Sequence, residues 1–263
     1  MSDWGIEELD LDAYLHRIGV TEPTLKSVHE GHVLSIPFEN IDVQLGNVPP
    51  LDLPGLQQKL VQRKRGGYCY EHNHLYAAAL ERLGITVERL LGRPMLGGPP
   101  VAARTHMILV AQQDGEPYLT DVGWGGGCLL EPMPLREGTM QQGKWTYQLV
   151  KREEMWVLQS LTVGVWRDLY GFTTDRQYPA DFGMANFFTA KWPQSHFFSR
   201  IIVQTTGPEA RQTLVGDELT VASPVDGDLE KRTLTKDEIL ESLTSRFGIE
   251  LSDAERDGLA ARI

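Results

Sequence analysis

Cys69, His106 and Asp121 are the residues whose types and placement could carry chemistry. The cysteine stands in the segment Arg65-Gly66-Gly67-Tyr68-Cys69-Tyr70-Glu71-His72-Asn73-His74. Two glycines permit a tight turn there, and the run from Tyr70 to Leu83 reads as a helix that the cysteine opens and Gly84 ends. A thiol in the first turn of a helix sits beside unpaired backbone N–H groups and the positive end of the dipole, and both favour thiolate over thiol. Most free cysteines are small buried hydrophobes, so Cys69 counts as a nucleophile only when a histidine and an aspartate or asparagine can be found for it.

A hairpin supplies them. Thr105 to Val110 and Pro117 to Val122 read as strands separated by a segment containing Asp114-Gly115, a strong hairpin signal. With Asp114 and Gly115 as the loop residues, Gln113 pairs with Glu116, Ile108 lies opposite Asp121 and His106 opposite Gly123. His106 and Asp121 are then diagonal neighbours on one face, with Cβ atoms about 7 Å apart, within reach of a hydrogen bond through their side chains. A slip of one residue would put them on opposite faces. A cysteine at a helix start, a histidine, and an aspartate that orients it are the parts of a nucleophilic triad.

The remaining polar motifs are weaker. His72 and His74, two apart on a helix, point to different sides and make a poor metal pair, and no metal is expected. His16, His29, His32 and His196 have no carboxylate partner that the sequence identifies. Gly123-Trp124-Gly125-Gly126-Gly127-Cys128 is not a phosphate loop. It reads either as a flexible turn after a strand or as backbone, at Gly125 and Gly126, that a long ligand can approach closely.

The elements that must position these residues come in two styles. Leu9, Leu11, Tyr14, Leu15 and Ile18 share one face of a first helix closed by Gly19, and Thr21-Glu22-Pro23 starts a second that carries Leu25, Val28 and His32 inward. Ile36-Pro37-Phe38-Glu39-Asn40 interrupts it, and a third helix runs from Asp52-Leu53-Pro54 to Arg65. After Gly84 the pattern alternates: Ile85 to Leu91 is a strand, Pro94 to Pro100 with Gly97 and Gly98 a loop, and Trp145–Val150, Met155–Leu161 and Val163–Tyr170 are further strands. Together they predict a closed or strongly curved antiparallel sheet. Ala180 to Lys191 is a helix ended by Pro193; strands are expected at Phe197–Thr205, Gln212–Val215, Glu218–Val221 and Leu229–Leu234, then helices opened by Thr235 and by Ser252.

With 263 residues, 41% of them hydrophobic, the chain can bury a substantial core. A net charge of −11 argues against nucleic acid or an anionic membrane as partner. The acidic start lacks the features of a signal peptide, no apolar run approaches a membrane span, and the two cysteines match neither a disulfide framework nor a zinc pattern. The expectation is a cytoplasmic protein, monomer or homodimer.

Taken with Ile36-Pro37-Phe38-Glu39-Asn40, Thr105-His106 and Asp121-Val122-Gly123-Trp124-Gly125-Gly126, the cysteine segment closely resembles the arylamine N-acetyltransferase family. The resemblance implies an α+β fold: a helical bundle over 1–84, a β-barrel-like domain over 85–192 and an α/β lid over 193–263, around a cysteine-protease-like core. It implies Cys69, His106 and Asp121 as the triad, acetyl-CoA as donor, and arylamines, hydrazines or N-hydroxyarylamines as acceptors. It also implies that Phe38 lines the acceptor pocket, that Thr105, Gly125 and Gly126 contact substrate or CoA, and that Arg65 and Glu39 form a structural ion pair. Arg63, Lys64 and Arg104 are candidates for the CoA phosphates by sign alone. A macrolactam-forming amide synthase of the same family, a transglutaminase- or cysteine-protease-like acyl transferase, and a binding module that has kept the fold are the competing readings.

Overall fold

Polar caps and glycine stops divide the first third of the chain into short helices. The computed structural model describes residues 4–95 and 103–263. Helix α1 (Leu11–Arg17) starts at Asp10, whose side chain accepts from the Ala13 N–H. Helix α2 (Leu25–Ser35) starts later than the Thr21-Glu22-Pro23 signal, because Thr24 and Ser27 form the capping box. Pro37 stops it, and strand β1 (Phe38–Glu39) and helix α3 (Ile41–Gln44) follow, both too short to leave a periodic pattern. The expected third helix is α4 (Leu53–Leu56), capped by Asp52, continuing as a π-helical turn over Gln57–Gln62 and ending before Arg65. Helix α5 (Cys69–Arg82) is buried on every side from Cys69 to Leu80.

Strands β2 (Val87–Pro94), β3 (His106–Gln113), β4 (Glu116–Leu119), β5 (Met133–Pro134), β6 (Gly138–Gln142), β7 (Trp145–Arg152), β8 (Met155–Thr162) and β9 (Val165–Phe172) form an eight-stranded antiparallel sheet. Its order is β5-β4-β3-β2-β9-β8-β7-β6. The two edge strands, β5 and β6, are joined only through residues 135–137, a link that spans at most about 15 Å. A flat sheet of this size would be about 34 Å across, so the sheet must curl until its edges approach. That is the strong curvature the sequence predicts. Of the expected loop from Pro94 to Pro100, Pro94 is the last residue of β2, and Gly97 and Gly98 lie outside the described residues.

Helix α6 (Pro179–Lys191) follows, then helix α7 (His196–Ser199), where the sequence suggested the start of a strand. Ser195 explains the difference: its hydroxyl accepts from the Phe197 N–H and caps a helical turn, so strand β10 begins only at Ile202. Strands β10 (Ile202–Thr206), β11 (Arg211–Val215), β12 (Glu218–Ser223) and β13 (Gly227–Thr233) form a second antiparallel sheet, and β1 joins its edge beside β10. Helices α8 (Lys236–Ser245) and α9 (Asp253–Arg262) begin at Thr235 and Ser252 as predicted. This sheet and its helices pack a core of Val203, Leu214, Leu219, Leu240 and Leu243, to which Ile41 of α3 contributes. The fold is α+β, with helices first, then the curled sheet, then a sheet with helices. Among the described residues no helix is long and apolar enough to cross a membrane.

Candidate active site

The turn ahead of Cys69 is held from both ends of the chain. The Glu39 N–H of β1 donates to the Gly67 carbonyl at 2.7 Å, while Phe38 and Glu39 pair with Gln204 and Val203 of β10. A Cβ on Gly66 would lie 1.9 Å from the Pro37 carbonyl oxygen, so only glycine lets the two backbones meet. The expected ion pair is present: the fully buried Arg65 guanidinium donates to Glu39 Oε1 from Nη2 at 2.7 Å and from Nε at 2.9 Å. Arg65 also reaches Glu255 of α9 at 2.8 Å, which ties the last helix to the start of α5.

The hairpin register is the predicted one. Gln113 pairs with Glu116 and Val110 with Leu119; beyond the ladder the Thr120 N–H still donates to Leu109 O at 2.9 Å. His106 Nε2 and Asp121 Oδ2 are 2.7 Å apart, and both side chains are buried. Because an ionised carboxylate only accepts, Nε2 carries the proton, and Nδ1 is the nitrogen left to accept one. Asp121 Oδ1 accepts from Asn73 Nδ2 at 2.8 Å and from the Gly123 N–H at 2.9 Å. Asn73 also donates to Met107 O at 2.7 Å and accepts from the Val122 N–H at 3.1 Å, pinning the hairpin to α5. Sequence reasoning passed over Asn73; its spacing of four from Cys69, which puts both on one helix face, was the available signal.

Cys69 meets the hairpin at two points. Its Sγ lies 3.9 Å from the carbonyl oxygen of Thr105, the residue before His106. A Cβ on Gly123 would come within 2.8 Å of Cys69 Cα. The His106 ring is walled by Trp124 and Tyr170, with centroids at 4.7 and 4.8 Å.

Burial acts against one expectation. Burial pushes the Cys69 thiol up to about 12, with the charges of Asp121 and Glu71 acting in the same direction, against backbone hydrogen bonds from Met107 and Tyr70. Burial thus opposes the thiolate that the helix start favours. Burial would also raise the Asp121 carboxyl, but His106, Asn73 and the Gly123 N–H together hold it below the usual carboxylate value. Asp121 is thus an anion behind the imidazole.

Four other histidines, His29, His32, His72 and His74, are buried in the core. His32 links Tyr14 OH to His72 Nδ1 at 2.8 Å each, and His72 Nε2 faces the Pro37 carbonyl at 3.2 Å. A carbonyl only accepts, so His72 Nε2 carries a proton; burial keeps both rings neutral, and every bond of that chain then has a fixed direction. His29 bonds Thr120 and the Leu129 carbonyl, while His74 packs edge-on against Trp4.

Residues 22–256 match the family described as N-acetyltransferase. The chain is 38% identical over 271 residues to the arylamine N-acetyltransferase of Mycolicibacterium smegmatis, covering 97% of each. The chain belongs to the arylamine N-acetyltransferase family. It is also 38% identical over 201 residues to the arylamine N-acetyltransferase / N-hydroxyarylamine O-acetyltransferase of Salmonella typhimurium, covering 73% of this chain and 72% of that protein. The solved structure of the Mycobacterium marinum arylamine N-acetyltransferase in complex with CoA superposes with a TM-score of 0.89 at 38% identity, covering 96% of this chain and 98% of that one. The protein is therefore an acyltransferase with the acetyl-CoA-dependent activity of the arylamine N-acetyltransferases.

Within that frame the predicted binding residues fall in different settings. Phe38 stacks on His72 with ring planes 7° apart and is packed against Phe197 and Gly125, beside a cavity of about 20 Å³ lined also by Val33, Val122 and Gln204. Thr105 offers its carbonyl to Tyr70 OH at 2.8 Å, next to the cysteine. Gly125 is buried at positive φ, where a Cβ would strike Gln204 and Phe38, so its own packing demands glycine, whereas Gly126 is exposed, a Cβ there would only touch Gln204, and its carbonyl accepts from Arg211. Arg63 is paired with Glu255 and Arg104 with Asp175.

Proposed function

We propose that the chain transfers acetyl groups from acetyl-CoA to arylamines and hydrazines, and to the oxygen of N-hydroxyarylamines, through a thioester on Cys69. The observation that carries this reading is the 2.7 Å bond between His106 and Asp121, set against the helix start that bears Cys69, in a chain of this family. As the Cys69 sulfur attacks the acetyl carbonyl, its proton passes to His106 Nδ1, and Asp121 stabilises the imidazolium. N–H groups of the first turn of α5, which lack intrahelical partners, face the developing oxyanion. The C–S bond to CoA breaks, and His106 returns the proton to the departing thiolate. The amine nitrogen then attacks acetyl-Cys69 and gives a proton to His106; the amide leaves, and Cys69 recovers its thiol.

Aromatic amines suit this site because they are unprotonated at neutral pH and can lie against Phe38, which we assign to the acceptor side. Thr105, Gly125 and Gly126 are assigned to contacts along acetyl-CoA. Acceptance of N-hydroxyarylamines has support in the Salmonella typhimurium relative, whose name includes that O-acetyltransferase activity. The burial of Cys69 weighs against an amide synthase, which would need a wide cleft for a macrolactam precursor. We divide the chain at residues 84 and 192; the separate core of the second sheet supports the second boundary, whereas a single core runs across the first. Both cysteines are free thiols, which fits the reducing cytoplasm.

The test is initial-rate kinetics with both substrates varied, across a panel of arylamines and hydrazines. Parallel reciprocal plots are expected; intersecting plots, which require both substrates bound together, would contradict the mechanism.

A further inference from the structure

Glu71 is the third residue of α5 and reaches back over the turn that precedes Cys69. Its Oε2 accepts from the Tyr68 N–H at 3.1 Å, and its Oε1 accepts from Lys59 Nζ at 2.7 Å. Lys59, carried by the π-helical turn, also contacts Asp42 Oδ2 of α3 at 2.7 Å and Glu39 Oε1 of β1 at 3.9 Å. Arg65 bonds Glu39, Asp42 and Glu255. Two cations, Lys59 and Arg65, thus face three carboxylates, Glu39, Asp42 and Glu71, and a fourth, Glu255, is shared with Arg63. Glu71 is almost fully buried, and among the described residues its ion pair is with Lys59 alone. A buried cluster with more carboxylates than cations favours protonation of one of them.

We propose that Glu71 is a positioning residue that sets the reactivity of Cys69 in two opposed ways: its oxygen fixes the Tyr68 N–H and hence the start of α5, and its negative charge opposes the Cys69 thiolate. This rests on the reading of Cys69 as the nucleophile. Burial pushes the Glu71 carboxyl up to about 7; Lys59 pulls the other way, while Asp42 and Glu39 add to the rise. The opposing charge therefore switches on as pH rises through neutrality. Facing Glu71 are Lys59, Asp42, Glu39 and Tyr68; facing Cys69 are Asp121 and His106 from the hairpin, with Tyr68 and Tyr70 beside it. A substitution at 71 leaves the hairpin groups in place, so a ratio of rates between variant and parent isolates the charge of Glu71.

The experiment measures alkylation of Cys69 by iodoacetamide, located by peptide mass, from about pH 6 to about pH 9 in the parent, Glu71→Gln and Glu71→Ala, beside acetylation by acetyl-CoA. Glutamine keeps an acceptor for Tyr68 and lacks the charge. The ratio of Glu71→Gln to parent is expected near one at the acid end, where Glu71 is protonated, and to rise toward ~10 at the alkaline end, the effect of about one pH unit. Glu71→Ala, which loses the bond to Tyr68 as well, is expected to acetylate several-fold more slowly than Glu71→Gln at every pH. A ratio that does not change with pH, or equal acetylation rates for the two variants, overturns the proposal. Failure of the parent to acquire acetyl on Cys69 would instead overturn the reading of the nucleophile. Should Glu71→Gln not fold, a carbon-13 titration of the parent decides: a glutamate carboxyl with its midpoint near 7 is required, and titration of every glutamate below about 5 refutes it.

Discussion

Replacing Asp121 by asparagine removes one charge and almost no volume, and the hydrogen bonds around the carboxylate decide how the new side chain sits. Two donors, Asn73 Nδ2 and the Gly123 N–H, converge on Oδ1, so the asparagine oxygen must stay there and its amide must face His106. An amide N–H directed at Nε2 forces that nitrogen to accept and moves the ring proton to Nδ1, the position needed to take the cysteine proton. The imidazolium also loses its counter-charge. At about 4 Å between charge centres and an effective dielectric near 20, that interaction is worth about 4 kcal/mol, or roughly a thousandfold in rate. With the wrong tautomer added, the acetylation rate of Cys69 is expected to fall by about 10³ to 10⁴. The assay is single-turnover formation of acetyl-Cys69, with circular dichroism and thermal unfolding as controls on the fold. A well-folded variant within tenfold of the parent would refute the account of how His106 is held.

Other perturbations probe the supports. Arg65→Ala leaves Glu39 buried without its main partner and is expected to destabilise the protein by about 3–5 kcal/mol in urea unfolding; a loss below about 1 kcal/mol would remove the ion pair from the account. Gly123→Ala puts a methyl group 2.8 Å from Cys69 Cα and is expected to lower the acetylation rate by about a hundredfold at nearly unchanged far-ultraviolet circular dichroism, whereas parent-like kinetics would contradict the contact. His29, His72 and His74 are held near 4 mainly by burial, below the unfolded value of 6.5, so the unfolded chain takes up protons first as pH falls. The stability they contribute is complete above about 6.5 and lost toward 4, roughly 3 kcal/mol each, with Glu71 offsetting about one histidine. Urea midpoints should therefore drop between about pH 7 and about pH 4.5, and a flat profile would contradict the neutral histidine chain.

How much the sequence disclosed depended on the range of the signal. Asp114-Gly115 fixed a register in which His106 and Asp121 share a face, because a two-residue turn leaves no freedom in the pairing, and the structure has that register. Ser195 hid a helical turn inside an apolar run, and the pairing of Phe38 with Gln204 is a contact between distant segments that no local period encodes. The surroundings of the thiol are hidden for the same reason. A helix start is visible in sequence, whereas the burial that outweighs it comes from Thr105, Gly123 and the elements packed over α5. Asn73 and Glu71 sit in the motif itself, but their partners, Asp121 and Lys59, are supplied by the fold.

The central claim is that the Cys69 sulfur carries the acetyl group between donor and acceptor. Intact-protein and peptide mass after mixing with acetyl-CoA tests it most directly. One added acetyl group on Cys69, discharged when an arylamine is added and appearing as the amide, is the expected result. No adduct, or an adduct on Cys128 that an arylamine does not remove, would contradict it.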